Sequence, residues 1–195
     1  MTAAASSARI SQDLVGEPSG SREIAISLAI VVGGGLVEGT ALGMAQASAF
    51  RVTHPTLRRT AYVLVTVMFA GLGWAAASAP AALAGGGDGS APPRLLVLAG
   101  GALLGATMGL LLGAAQAVVL RRTVQRPLQW LPANAVAWTA AMLVIFLGAT
   151  TPDAGWATWQ VALLGTATGS VAGALLGLVL GRWVPTLGTR SASTA

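Results

Sequence analysis

The sequence has 195 residues, of which 54% are hydrophobic and only 9% charged, and its mean hydropathy is +0.73. An average soluble domain carries roughly 25% charged residues, so this composition excludes a water-soluble fold. The chain has no Cys, which excludes disulfides, thiolate metal sites and thiol catalysis. The net charge of +5 comes from arginines that are spread among loops, so we expect no nucleic-acid partner.

The chain begins with a polar segment, residues 1–22, which has no apolar run long enough to bury and is predicted to be a mobile tail. From residue 24 to 50 it is apolar except for Glu38 and Gln46, which is long enough to cross a hydrocarbon core of about 30 Å. The preceding region is acidic as well as basic, and the apolar segment is too long for a signal peptide. We therefore expect the first span to stay in the mature protein.

Four further apolar segments follow the first, and turn-forming sequences separate them. They cover residues 61–84, 95–120, 132–150 and 159–181. The glycine-rich linker 85–93 separates the second from the third, and Pro132 is expected in the first turn of the fourth helix. The sequence predicts an all-α polytopic membrane protein with a transmembrane domain over residues 23–184 and a short cytoplasmic tail, 185–195.

The arginines lie mostly on one side of the predicted membrane domain. Eight follow spans one, three and five (Arg51, Arg58, Arg59, Arg121, Arg122, Arg126, Arg182, Arg190) and three lie on the other side (Arg9, Arg22, Arg94). The positive-inside rule then places the N-terminus outside and the C-terminus in the cytoplasm of a bacterial inner membrane. Trp130 and Trp183 are predicted at the cytoplasmic interface, and Trp156 and Trp159 at the outer one.

The first and third spans share one pattern at a constant offset of 70 residues. The aligned pairs are Gly35 and Gly105, Gly39 and Gly109, Gly43 and Gly113, Gln46 and Gln116, Arg51 and Arg121. Each copy continues through a basic loop into an apolar helix that contains a Trp. The sequence therefore predicts a two-helix hairpin used twice in parallel. The fifth span continues the four-residue spacing without a glutamine, at Gly165, Gly169, Gly173, Gly177 and Gly181, and is predicted to be a closing helix.

Glycines four residues apart lie on nearly one face of a helix, where they let another backbone approach closely. We expect spans one, three and five to pack against each other, with the ladders as packing seams within or between subunits; the alternative is that glycines line a narrow pore or a sliding surface. Gln46 and Gln116 lie close to their ladders, so both amides are predicted to point inward. They are expected to bond a facing helix or each other, and the alternative is a polar binding site.

Glu38 is the one ionisable residue deep in a span, and its counterpart in the second copy is Met108. A carboxylate at the bilayer centre costs at least about 2.5 kcal/mol and often marks an ion or proton path. Glu38 is therefore a candidate ion or proton site. The other interpretation is a neutral acid that bonds a hydroxyl or a backbone carbonyl.

Other chemistry finds little support in the sequence. His54, the only histidine, lies in a basic loop and is expected to be exposed, with no neighbouring ligands for zinc. With one His, a Ser-His-Asp arrangement has no natural place at membrane depth. We predict no metal site, no cofactor and no enzymatic activity.

The motif GxxxGxxxGxxQxxxxR resembles that of a group of uncharacterised bacterial integral membrane proteins, whose Gly-rich spans end in Gln-(Trp)-x-x-x-Leu-Arg. It occurs here at Gly35 to Arg51 and at Gly105 to Arg121. This chain departs from the group because Ala47 and Ala117 stand where a Trp would follow each Gln. The resemblance implies the fold and assigns no activity.

Three functions are compatible with these residues. The first is a non-catalytic packing or interaction module in the bilayer, forming a homo-oligomer through its glycine seams. The second is a small proton- or cation-coupled transporter or channel that uses Glu38, with Gln46 and Gln116 at its cytoplasmic mouth. The third is an accessory subunit of a larger membrane complex. The second requires a water-filled path to Glu38, and the other two require a sealed bundle with an uncovered apolar face.

Overall fold

The computed structural model describes residues 20–84, 92–153 and 155–189, and these ranges are helical apart from short turns and one isolated β-bridge. Five helices are long and apolar enough to cross a membrane: α1 (Ser21–Thr53), α2 (Arg59–Ala84), α3 (Arg94–Leu120), α4 (Trp130–Ala149) and α5 (Thr158–Trp183). The prediction of an all-α protein with five spans is confirmed. The predicted tail up to residue 19, most of the glycine-rich linker and residues 190–195 lie outside the described ranges.

Local sequence explains where several helices begin and end. The Gly20 N–H donates to the Glu23 carboxylate (3.3 Å) at the start of α1, and the Ala157 N–H donates to Gln160 Oε1 (2.8 Å) at the start of α5. Each bond satisfies an amide that a helix N-terminus leaves without a partner. A 3-10 turn, Pro127–Gln129, precedes α4. Because α4 begins at Trp130, two residues before the predicted start, Pro132 lies in its first turn.

Helices that are neighbours in sequence are also neighbours in space. The main contacts join α1 to α2, α3 to α4 and α4 to α5, and α2 touches α3 over a smaller area. The prediction that spans one, three and five pack mainly against each other is wrong. Short connections place consecutive helices side by side and antiparallel, so each ladder is covered by the helix that follows it.

The ladder of α1 faces α2. A Cβ atom on Gly35 would collide with the ring of Trp74, and one on Gly39 with the side chain of Ala70. On Gly43 it would lie 3.2 Å from Thr66 Cβ. The glycines of α1 therefore make room for side chains of α2.

The ladder of α3 faces α4 and contacts its backbone. A Cβ atom would lie 2.6 Å from the Trp138 carbonyl oxygen if placed on Gly105, and 2.9 Å from the Trp130 carbonyl oxygen if placed on Gly113. On Gly109 it would lie 2.6 Å from the Asn134 carbonyl oxygen. The second hairpin is therefore the closer-packed of the two, as glycine seams in lipid allow.

The ladder of α5 turns away from the bundle. Gly165 is buried and Gly169 half-buried, but a Cβ atom on Gly173, Gly177 or Gly181 would meet no atom of the described residues within 4 Å. The prediction that Gly173 and Gly177 pack against another helix of this chain is therefore wrong. At 3.6 residues per turn each four-residue step rotates by about 40°, so four steps rotate the ladder by about 160°. A ladder of three glycines stays on one face, whereas a ladder of five does not.

Another face of α5 holds it against α4. A Cβ atom on Gly148 of α4 would collide with Thr168, and Ala172, Leu176 and Leu180 of α5 are buried about one, two and three turns further along. These three side chains belong to the main apolar core, which also contains Ala137 of α4. The contact face of α5 is thus built from Thr, Ala and Leu, and its exposed glycines lie elsewhere.

The outer surface of the bundle is apolar. On α2, for example, Leu64, Met68 and Leu72 are each more than half exposed, at 57%, 64% and 57%, and follow one another at four-residue intervals. Large exposed side chains of this kind on five long apolar helices fit a bilayer environment. The chain is a multi-pass membrane protein.

The segment between α3 and α4 is tied to the segment that follows α5. The Gln125 and Arg126 N–H groups donate to the Leu187 carbonyl oxygen at 3.1 and 3.0 Å, and Val124 forms an antiparallel bridge with Thr189. Gly188 has φ +65°, a left-handed conformation that favours glycine, and allows the chain to turn there. Val124 and Leu187 are fully buried, so the two segments pack closely against each other.

Candidate functional site

Six neutral polar side chains meet inside the bundle near the C-terminal ends of α1 and α3. We call them the amide cluster: Gln46, Tyr62, Thr66, Gln116, Trp130 and Asn134. Five of them are fully or almost fully buried, and Gln46 is half-buried. Because polar groups in a membrane interior must find partners within the protein, the hydrogen bonds of this cluster define the site.

Gln116 is the centre of the cluster and bonds three other helices. Its Nε2 donates to Thr66 Oγ1 of α2 (2.9 Å) and to Gln46 Oε1 of α1 (3.3 Å), and its Oε1 accepts from Trp130 Nε1 of α4 (2.7 Å). The Tyr62 hydroxyl also donates to Gln46 Oε1, at 3.4 Å. One amide thus connects both hairpins.

The partners fix the orientation of both amides. An indole nitrogen can only donate, so the Gln116 atom that faces Trp130 is the oxygen, and Nε2 points toward Gln46. The Gln46 atom that faces this Nε2 must then accept, which makes it Oε1 and directs Gln46 Nε2 elsewhere. Asn134 is fixed in the same way, because its Nδ2 donates to the Trp130 carbonyl oxygen at 2.9 Å.

The two hairpins make equivalent contacts in this region. Tyr62 donates to Gln46, and Trp130 donates to Gln116. The Thr66 hydroxyl donates to the Tyr62 carbonyl oxygen four residues earlier, just as the Asn134 amide donates to that of Trp130. Tyr62 therefore corresponds to Trp130 and Thr66 to Asn134.

The glycine contacts give the same correspondence. The Cβ position of Gly43 approaches Val63 Cα and Thr66 Cβ, and that of Gly113 approaches Leu131 Cα and Asn134 Cβ. The second helices therefore match at an offset of 68 residues, whereas the first helices match at 70, because the second connection is two residues shorter.

An aromatic group covers the cluster at the end where α1 stops. The ring of Phe50 lies 5.1 Å from that of Trp130, 5.6 Å from that of Tyr62 and 5.8 Å from that of His54, centre to centre. Phe50 is 3% exposed. Rings at these distances and tilts pack favourably and cover the amides at this end.

The structure brings together only some of the residues that the sequence singled out. Gln46 and Gln116 bond each other directly. Glu38 is half-buried near the middle of α1, eight residues before Gln46 and therefore about 12 Å away along the helix. It lies outside the amide cluster.

One prediction about a single residue is wrong. His54, expected to be exposed, is only 4% exposed, because its ring packs against Phe50 and its Nδ1 bonds Thr53 Oγ1 at 2.7 Å. Trp130 is the first residue of α4, is 1% exposed and bonds Gln116. Its position at the membrane interface stays a prediction.

Sequence reasoning missed Tyr62, Thr66, Trp130 and Asn134 as members of the cluster. A signal was present: an aromatic donor follows each glutamine, and a Thr or Asn follows that aromatic residue by four positions. The fixed offset of 70 residues conceals this signal, because the two second helices align at 68.

Comparison with known proteins gives no match. No family model matches the chain, and no curated protein or solved structure is detectably similar to it. The resemblance to Gly-rich bacterial membrane proteins therefore stays a prediction, and the geometry of the chain alone must support a function.

The chemistry of the amide cluster is hydrogen bonding between neutral groups. Its six members include no carboxylate, imidazole or amine. Within residues 20–84, 92–153 and 155–189, no three His, Cys, Asp or Glu side chains are placed to hold a metal ion. The cluster can bind neutral donors and acceptors and can hold helices together.

Proposed function

We propose that this protein is a non-catalytic interaction module of the membrane that associates laterally through one face of α5. That face, the α5 glycine face, consists of the exposed residues Ser170, Gly173, Ala174, Gly177 and Gly181. The observation that supports this proposal is the contrast between the glycine ladder of α5 and the other two ladders. Those of α1 and α3 are filled by the next helix, whereas Gly173, Gly177 and Gly181 meet nothing within 4 Å.

An uncovered glycine ladder in a membrane favours the packing of a partner helix against it. Glycine inside a helix costs about 1 kcal/mol relative to alanine, and no packing by the described residues offsets that cost at Gly173 and Gly177. In lipid, a face of small residues promotes close helix crossing, commonly between identical faces. The partner that fits is the same face of a second copy, which would form a two-fold symmetric dimer.

The test is self-association of the full chain in lipid. A single Cys introduced at the exposed residue Thr186 carries donor or acceptor dyes, since the protein has no Cys of its own. We expect energy transfer between copies in liposomes. We expect the double change Gly173→Leu with Gly177→Leu to weaken association at least tenfold, or by about 1.4 kcal/mol.

The matched control is the double change Gly33→Leu with Gly100→Leu. These glycines also have nothing within 4 Å of their Cβ positions, but they lie on α1 and α3. Energy transfer in the control should equal that of the parent. A monomeric parent, or equal losses in both variants, would contradict association through the α5 glycine face and favour the alternative of a subunit that binds a different membrane protein.

A second candidate is proton or cation transport through Glu38, supported by the half-buried carboxyl group near the middle of α1. This candidate predicts flux in sealed proteoliposomes that disappears in Glu38→Gln. Asp153→Asn, which changes an exposed loop carboxylate, should leave the flux intact. A parent without flux excludes the candidate.

We also propose that the protein lies in a bacterial inner membrane with its arginine-rich end in the cytoplasm. Arg51, Arg121 and Arg182 are exposed at that end of three helices, as the positive-inside rule requires. We expect an impermeant maleimide to label Thr151→Cys on intact cells and Thr56→Cys only after permeabilisation. Both residues are exposed, in loops at opposite ends of the bundle, and the reverse labelling would invert the topology.

A further inference from the structure

Two buried atoms of the amide cluster have no hydrogen-bond partner among the residues that the structure describes. They are Gln46 Nε2, a donor, and Asn134 Oδ1, an acceptor. Their identities do not depend on an arbitrary choice of amide orientation, because Trp130 Nε1 and the Trp130 carbonyl oxygen fix them. A buried polar atom inside a membrane protein is costly without a partner. The pair therefore requires an explanation.

The correspondence between the hairpins relates these two atoms to each other. Gln116 Nε2 donates to Thr66 Oγ1 at 2.9 Å, across the boundary between α3 and α2. Gln46 is the counterpart of Gln116, and Asn134 is the counterpart of Thr66. The equivalent bond would join Gln46 Nε2 to Asn134 Oδ1, across the boundary between α1 and α4.

The helix packing explains why this second bond is not made directly. α2 and α3 pack against each other, whereas α1 and α4 make at most isolated contacts. The equivalent donor and acceptor thus belong to helices that stand further apart. A direct bond forms where the helices touch, and a donor and an acceptor remain unpaired where they do not.

We propose that Gln46 Nε2 and Asn134 Oδ1 form a binding site for one small neutral molecule that accepts one hydrogen bond and donates another. Water has this chemistry, as does an alcohol hydroxyl group. A cation would be repelled by the N–H group of Gln46, and an anion would be repelled by the amide oxygen of Asn134. The rest of the cluster is neutral, so no charged side chain compensates either ion. The site does not depend on association through the α5 glycine face.

The experiment is magnetisation transfer from water protons to side-chain amides, measured by NMR on the full-length protein in hydrated bilayers. We expect a strong transfer peak at Gln46 Nε2. We expect none at Gln116 Nε2, which donates to Thr66 and Gln46 and serves as an internal control. A transfer peak from a hydroxyl group that belongs neither to water nor to Tyr62 or Thr66 of the cluster would identify an alcohol as the occupant of the same site.

Variants at Asn134 test the acceptor. Asn134→Leu should abolish the peak at Gln46. Asn134→Thr should keep it, because a hydroxyl at this position would donate to the Trp130 carbonyl oxygen and still accept a hydrogen bond, just as Thr66 donates to Tyr62 and accepts from Gln116. The Trp130 indole N–H signal reports whether each variant folds. A folded parent without a transfer peak at Gln46, or a peak that survives in folded Asn134→Leu, would overturn the proposal.

Discussion

A Gly109→Ala variant is expected to be less stable than the parent by about 2 to 3 kcal/mol, although it adds only one methyl group. That methyl would lie 2.6 Å from the Asn134 carbonyl oxygen and 2.9 Å from Ala135 Cα. Both atoms belong to the backbone of α4, which cannot rotate away as a side chain does. The two helices must therefore separate along the whole glycine seam, and the apolar contacts around Gly105 and Gly113 weaken with it.

The matched control, Gly100→Ala, makes the same chemical change in the same helix. Gly100 is exposed, and its Cβ position meets nothing within 4 Å. Because alanine favours the helix by up to about 1 kcal/mol over glycine, this variant should be as stable as the parent or slightly more stable. The stability of both variants is measured by reversible unfolding in mixed micelles, in which the fraction of denaturing detergent is varied. Equal midpoints for the two variants would refute the close approach of α3 and α4.

Much of the fold could be predicted from the sequence, because simple physical requirements determine it. A bilayer of about 30 Å demands some 20 apolar residues per helix, and five such segments are visible without any structure. The inward direction of Gln46 and Gln116 also follows, since about 100° per residue places each amide near its own glycines. These are local properties of one helix, and local properties can be read from one segment.

The partner of each ladder could not be read in this way. Gly35 and Gly105 indicate that another helix packs closely against their own, but any of the other four helices could be that neighbour. Because the connections between helices are short, the neighbour is the next helix in the chain. The rotation of the α5 ladder was predictable in principle, because a four-residue repeat departs from the helical period of 3.6 residues. Five glycines cannot share a face that three can share.

The members of the amide cluster were concealed for a different reason. Tyr62 and Trp130 differ in size and chemistry, and they occupy equivalent positions only because each donates to a glutamine. A comparison by residue type finds identical glycines and overlooks equivalent donors. His54 shows the same limit, since a basic loop predicts exposure, whereas tertiary packing buries the ring and brings it against Phe50.

Gln116→Leu is expected to destabilise the protein by about 2 kcal/mol without unfolding it, since membrane hydrogen bonds contribute about 0.6 kcal/mol each on average and the change breaks three bonds. It also leaves the Trp130 indole N–H buried without an acceptor. Gln46→Leu makes the same change at the equivalent position and should destabilise the protein less. The bonds of Gln46 are longer, at 3.3 and 3.4 Å, and its Nε2 has no protein partner to lose.

The same detergent titration measures both variants, and a double-mutant cycle locates the effect. Trp130→Phe removes the indole donor that Gln116→Leu would otherwise leave unpaired, so the two changes together should cost less than the sum of the single costs. Gln46→Leu combined with Trp130→Phe should be closer to additive, because no direct bond joins those residues. If Gln116→Leu and Gln46→Leu prove equal, the bundle is not held by the bonds of Gln116. The glycine seams alone would then set its stability, and the amide cluster would be available mainly for binding.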